Sequence, residues 1–220
     1  MKNAKRAAIA VGAALLLPTL ATATTASASI DPPASSETAP PPGKVTIGVE
    51  TINGSGCPAG TTKVEPSQGN AAFTVVYDKY VAWAGGDAPP TEFRKNCHIS
   101  VDVNAPEGYT YAVVGIVSRG FAHVEEGATA QRRTNYYFQG DAKNTSVSHE
   151  LKGPYDDNWR FADRTDPAQR VYKPCGAERN LNINTELRVN KGSSSKSSFI
   201  AMESAYANAV YQLDWKRCDS

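Results

Sequence analysis

The sequence predicts an all-β fold, an antiparallel sandwich, on three observations. Apolar and polar residues alternate with a period of two through most of Lys44–Cys218. The alternating runs are short and separated by Gly, Pro and Asn turn signals. No convincing helical run is present to serve as a crossover, and parallel strands need such crossovers. About nine strands are expected, in a jelly-roll-like or an immunoglobulin-like order.

In Lys44–Glu50, Val45, Ile47 and Val49 share one face of a half-buried strand, and Asn53-Gly54-Ser55-Gly56 turns the chain. Ala71–Tyr77 alternates through Phe73, Val75 and Tyr77. Gly85-Gly86-Asp87-Ala88-Pro89-Pro90 is a loop, because paired prolines cannot serve a central ladder. Ile99, Val101 and Val103 form the next inward face, and Pro106-Glu107-Gly108 turns again. Tyr109–Val117 is apolar on both faces, which predicts a central strand covered on both sides. Ala130–Gln139 carries Tyr136, Tyr137 and Phe138, and Ser146–Leu151 is a weaker strand. Asn180–Asn190 alternates most cleanly, with Leu181, Ile183, Leu187 and Val189 on one face and Asn182, Asn184, Glu186 and Arg188 on the other. Phe199–Met202 and Val210–Trp215 close the domain, and the Ala-rich Ala201–Ala209 is expected to hold at most a turn of helix.

The N-terminus predicts export. Lys2, Lys5 and Arg6 precede the apolar run Ala7–Leu17, and Ala26-Ser27-Ala28 follows as a small-residue cleavage site, so residues 1–28 form a signal peptide. The run is shorter than the roughly 20 residues that span a bilayer. Residues 29–43, rich in Pro, Ser and Ala, are a linker unable to bury apolar surface. Residues 44–220 then form a single sandwich domain. Without the signal peptide, 20 basic residues face 22 acidic ones, for a net charge of about −2. That balance gives no electrostatic reason for nucleic acid as a partner.

An exported chain with four cysteines predicts two disulfides, for which three pairings exist. The favoured pairing, Cys57–Cys97 with Cys175–Cys218, closes two loops of about 40 residues, each adding roughly 4 kcal/mol by the chain-entropy model. Zinc is not expected, because no Cys-x-x-Cys pair is present.

Gly153–Asp166 is the first candidate site. As a loop between strands it places Tyr155 and Trp159 beside Asp156, Asp157, Asp163 and Asp166. Tyr155, Asp156, Asp157 and Trp159 are the candidate ligand-binding residues, since exposed aromatics beside polar groups suit sugar stacking or a protein interface. Against this stands the reading in which Tyr155 and Trp159 plug an open end of the core. Calcium through Asp156, Asp157 and Asp163 is the cofactor alternative, but the spacing lacks the glycine and terminal glutamate of an EF-hand. No cofactor is expected. A hydrolase using Asp156, Asp157 and Asp163 with His123 or Glu125 needs two carboxylates at about 5–9 Å across a cleft. Adjacent Asp156 and Asp157 point apart if the chain is extended.

His98, Ser100 and Asp102 share a strand face. Residues two apart on a strand stand about 7 Å from each other, too far for a nucleophile and its base, so a polar face is the better reading. The period-two row Asn180, Asn182, Asn184, Glu186 and Arg188 is best explained by a polar network with Arg94, Lys95 or Asp157. Asn53-Gly54-Ser55 and Asn144-Thr145-Ser146 fit the glycosylation sequon.

Several motifs stand in order: Cys57-Pro58-Ala59-Gly60, Phe93-Arg94-Lys95-Asn96-Cys97, Arg119-Gly120-Phe121-Ala122-His123, Asn135-Tyr136-Tyr137-Phe138-Gln139-Gly140, Gly153-Pro154-Tyr155-Asp156-Asp157-Asn158-Trp159, Pro174-Cys175-Gly176 and Asn182-Ile183-Asn184-Thr185-Glu186-Leu187-Arg188. With them, Lys44–Cys218 resembles the exported bacterial and fungal proteins of domain-of-unknown-function family 4360. The resemblance implies a small secreted β-rich protein and no activity, so no catalytic residue carries over. The expected function is a non-enzymatic extracellular module that binds a glycan or a protein. The alternatives are an extracellular hydrolase and a structural cell-envelope protein.

Overall fold

The computed structural model describes residues 40–41, 45–202 and 207–218. The signal peptide, almost all of the linker and the middle of Ala201–Ala209 lie outside the described residues. Among the described residues there are twelve strands: β1 (Thr46–Asn53), β2 (Thr62–Pro66), β3 (Ala72–Tyr77), β4 (Val81–Ala84), β5 (Arg94–Asn104), β6 (Tyr109–Val124), β7 (Thr129–Phe138), β8 (Thr145–Lys152), β9 (Tyr155–Arg164), β10 (Leu181–Asn190), β11 (Ser198–Ala201) and β12 (Asn208–Arg217). All named pairings are antiparallel. One sheet runs β1-β5-β10-β7-β8; the other runs β2-β3-β12-β6-β11-β4, with β9 also on β6.

The nine strands expected from the sequence are all present, and three more join them. The three additions have local causes. β2 ends in Pro66, as a sheet-edge strand can. β4 has only 4 residues, too few to show a period. β9 occupies the stretch expected to be a loop, because Asp157 and Asp163 interrupt its aromatic alternation and Gly153-Pro154 resembles a turn.

The long strand β6 organises the seven-stranded sheet. β12 pairs along Tyr109–Ser118 and β11 along Phe121–His123 of one edge, while β9 pairs along Gly115–Val124 of the other. Residues 110–116 of β6 are all buried, as two-sided apolarity predicts. The segment after β9 continues along the same edge of β6, where Thr165 N–H donates to the Val114 carbonyl at 2.9 Å and Lys173 N–H to that of Tyr111 at 2.9 Å.

The core lies between the sheets. Leu181, Ile183, Leu187 and Val189 of β10 face Phe73, Ile116, Tyr211 and Trp215 of the other sheet within one apolar cluster. Phe73 and Tyr211 stack at 4.9 Å, and Trp215 donates its indole N–H to the Asn70 carbonyl at 2.8 Å. Disulfides join Cys57 to Cys97 and Cys175 to Cys218. The first ties the turn after β1 into β5, and the second ties the segment after β9 to the end of β12.

Candidate functional site

Strand geometry divides the candidate stretch between two faces. Along β9, Tyr155, Asp157, Trp159, Phe161 and Asp163 alternate with Asp156, Asn158, Arg160, Ala162 and Arg164. Trp159 is on the inward set and only 3% exposed. Its indole lies over Gly120 of β6, where a Cβ would collide with the ring and with the Ala201 carbonyl. Tyr155 is half-buried and donates its hydroxyl to the Asn158 carbonyl at 2.8 Å. Burial, followed by the negative charge of Asp157, pushes the Tyr155 phenol above its ordinary range.

The inward side chains of β9 close the seam against β8. Trp159 stacks on Phe161 at 4.8 Å, and Phe161 on His149 at 4.3 Å with planes 6° apart. His149 Nε2 lies 2.7 Å from Asp163 Oδ1, and Asp163 Oδ2 lies 3.5 Å from Arg132 Nη1. Arg132 is fully buried, so Asp163 is the counter-ion of a charge inside the core.

The three carboxylates considered for calcium or hydrolysis consequently go to different places. Asp163 turns inward to His149 and Arg132. Asp157 accepts the Asn158 backbone N–H at 2.6 Å. Asp156 stands on the outer face, 3.3 Å from His123 Nδ1. Among the described residues no group of three His, Cys, Asp or Glu side chains is placed to hold a metal ion.

The outer face of this sheet gathers residues that the sequence had left apart. Cross-strand register sets Trp83 opposite Phe199, Phe199 opposite His123, and His123 opposite Asp156. The adjoining row is Val81, Ala201, Phe121 and Asn158. Phe121 is 36% exposed, and its ring lies 5.9 Å from that of Phe199 at 30°. The His123 ring lies 6.0 Å from Phe199 at 26°. These three neighbouring rings make an aromatic platform across β6 and β11. Polar groups stand at its side: His123 Nε2 is 3.3 Å from Glu125 Oε1, and Lys196 Nζ is 3.5 Å from Glu125 Oε2. The hydrogen bond with Asp156, then that with Glu125, raises the His123 pKa above its ordinary value, although desolvation opposes them.

Asp156 is thus the residue of the sequence-predicted set that joins this platform, while Trp159 packs into the core. Phe121, Phe199 and Trp83 were missed. A usable signal is Arg119-Gly120-Phe121-Ala122-His123, where the small residues Gly120 and Ala122 take inward positions and the large ones face out.

On the other sheet, His98, Ser100 and Asp102 share a face of β5, opposite Asn53, Thr51 and Gly48 of β1. Asn182 and Asn184 stand across from Ser100 and His98. At the end of that row Glu186 pairs with Arg94 and lies 3.2 Å from Arg188 Nε, forming an ionic network.

Comparison with known proteins places this arrangement in a family. The model of the family described as "Domain of unknown function (DUF4360)" matches residues 43–218. An "Uncharacterized secreted protein" of Arthroderma benhamiae is 32% identical over 182 residues, covering 82% of this chain and 74% of that one. Among solved structures, TmCBM61 in complex with beta-1,4-galactotriose aligns at 12% identity and a TM-score of 0.27, over 79% of this chain and 88% of that one. The enzymatically active domain of bacteriophage CBA120 tailspike protein 4 aligns at 13% identity and a TM-score of 0.27, over 79% of this chain and 19% of that one. The protein is a secreted one, and no helix among the described residues is long and apolar enough to cross a membrane.

Proposed function

The chain belongs to the DUF4360 family, and from that premise we propose that it is a non-enzymatic extracellular module that binds a glycan on the outer face of its seven-stranded sheet. The carrying observation is the register that brings Phe121, Phe199 and His123 together, with ring centroids 5.9 and 6.0 Å apart and Asn158 and Asp156 beside them. A sugar ring offers an apolar face and a rim of hydroxyls. The aromatic faces suit the first, and the amide, carboxylates and imidazole suit the second. Export and two disulfides fit a module that works outside the cell. The dispersal of Asp156, Asp157 and Asp163 over different surroundings weighs against hydrolysis by that set.

The test is a glycan array probed with the mature domain and with the Phe121→Ala/Phe199→Ala double variant. Binding by the parent and its loss in the variant, with far-UV circular dichroism unchanged, is the expected result. Binding that survives removal of both rings refutes the platform. Binding to no glycan refutes the function.

A further inference from the structure

Beside the aromatic platform, the same outer face holds an arrangement with a cost. Arg119 of β6 and Arg160 of β9 are direct cross-strand partners. Like charges facing each other across a ladder destabilise the pair. Arg164 follows on the same face of β9, opposite Gly115. Among the described residues no carboxylate forms an ion pair with any of the three. The polar side-chain partner of Arg119 is the neutral Asn208, whose Oδ1 accepts from Nη1 at 3.4 Å. The next residue outward on β6 after Arg119 is Phe121, so the cationic group and the aromatic platform are contiguous.

We infer that the ligand is an acidic polysaccharide whose carboxylate or sulfate groups are taken by Arg119, Arg160 and Arg164 while a sugar ring lies on Phe121. The inference rests on the glycan reading above and names the class of glycan. Guanidinium groups present planar forks that hold carboxylate and sulfate oxygens in pairs, and an anion between Arg119 and Arg160 turns their repulsion into shared attraction. Arg160 and Arg164 are four residues apart on one strand, about 13 Å at the usual rise. One acidic group cannot serve both, so the ligand carries repeated charges. The opposite end of the platform holds Asp156 and Glu125 around His123. The face is therefore polar from end to end, which favours the acidic groups at the arginine end and sets the direction of the bound chain.

The experiment measures binding of the mature domain to polygalacturonate, dextran sulfate, neutral dextran and double-stranded DNA. The variants are Arg160→Gln, Arg119→Gln/Arg160→Gln, Phe121→Ala/Phe199→Ala, and Arg133→Gln on the other sheet as control. The expected result is binding to the carboxylated or the sulfated polymer, with the preferred one identifying the acid group. Affinity drops about tenfold in Arg160→Gln, the loss of one charge-assisted contact, and weakens as salt rises from about 50 to about 300 mM. Arg133→Gln leaves it unchanged. Neutral dextran bound as tightly as the acidic polymers, with no effect of the arginine changes, overturns the acidic class while leaving the glycan reading intact. DNA bound as tightly as the polysaccharides overturns it in favour of general polyanion attraction. No binding to any polymer here or on the array overturns both.

Discussion

Replacing Trp159 with alanine separates a core residue from a ligand-facing one. A buried tryptophan hides about 150–250 Å². At about 25 cal/mol per Å², that corresponds to an upper figure of about 4–6 kcal/mol. Alanine retains part of the burial, and measured tryptophan-to-alanine losses in cores are about 3–5 kcal/mol. One feature lowers the figure: among the described residues Trp159 Nε1 has no hydrogen-bond partner, so its removal relieves a desolvated N–H worth about 1 kcal/mol or more. The expected destabilisation is about 2–4 kcal/mol. At about 3 kcal/mol the melting temperature falls by about 6–12 °C for a domain of this size. Urea unfolding followed by far-UV circular dichroism, disulfides intact, measures it without relying on the fluorescence of the residue removed. Phe121→Ala, at an exposed position, is expected to shift stability by less than about 1 kcal/mol and to weaken glycan binding. A Trp159→Ala protein with an unchanged urea midpoint and abolished binding would falsify this placement of the indole.

Two further predictions concern charged pairs. His123 is raised by Asp156 and Glu125, so its contribution to the folded state is full below the ordinary value of 6.5 and is lost as pH rises through the higher folded midpoint. An NMR titration of the imidazole should give a midpoint above 6.5 that moves down in Asp156→Asn; no movement means that Asp156 is not the cause. Asp163→Asn leaves the buried Arg132 without its counter-ion and is expected to cost about 3–5 kcal/mol, whereas Arg132→Met/Asp163→Asn should recover most of that. A single variant as stable as the parent, or a double variant no better than the single, removes the pairing from the account.

The fold was largely legible because alternation is a local property. Leu181, Ile183, Leu187 and Val189 had to share a face whatever lay opposite, and in the structure that face is buried. The disulfides were legible from export and loop length alone. β9 was not legible because Asp157, which is exposed, and Asp163, which turns inward, both fall on its aromatic side. An inward carboxylate contradicts the pattern unless a buried cation awaits it, and Arg132 comes from a strand 31 positions earlier in the chain.

The platform was illegible for a stronger reason. Phe121, Phe199 and Trp83 are neighbours only through register, and register depends on which strands pair. The sequence does hold one trace of it. Aromatic residues in an alternating strand normally take the buried positions, and Gly and Ala there leave volume unfilled. At Arg119-Gly120-Phe121-Ala122-His123 the order is inverted, and the unfilled inward volume at Gly120 is taken by the indole of Trp159 from β9. The two features therefore go together: a Cβ at 120 would collide with the Trp159 ring and with the Ala201 carbonyl. A strand that pairs small inward residues with large outward ones has a neighbour packed beneath it, and what it presents to solvent is a surface built from arginine, phenylalanine and histidine.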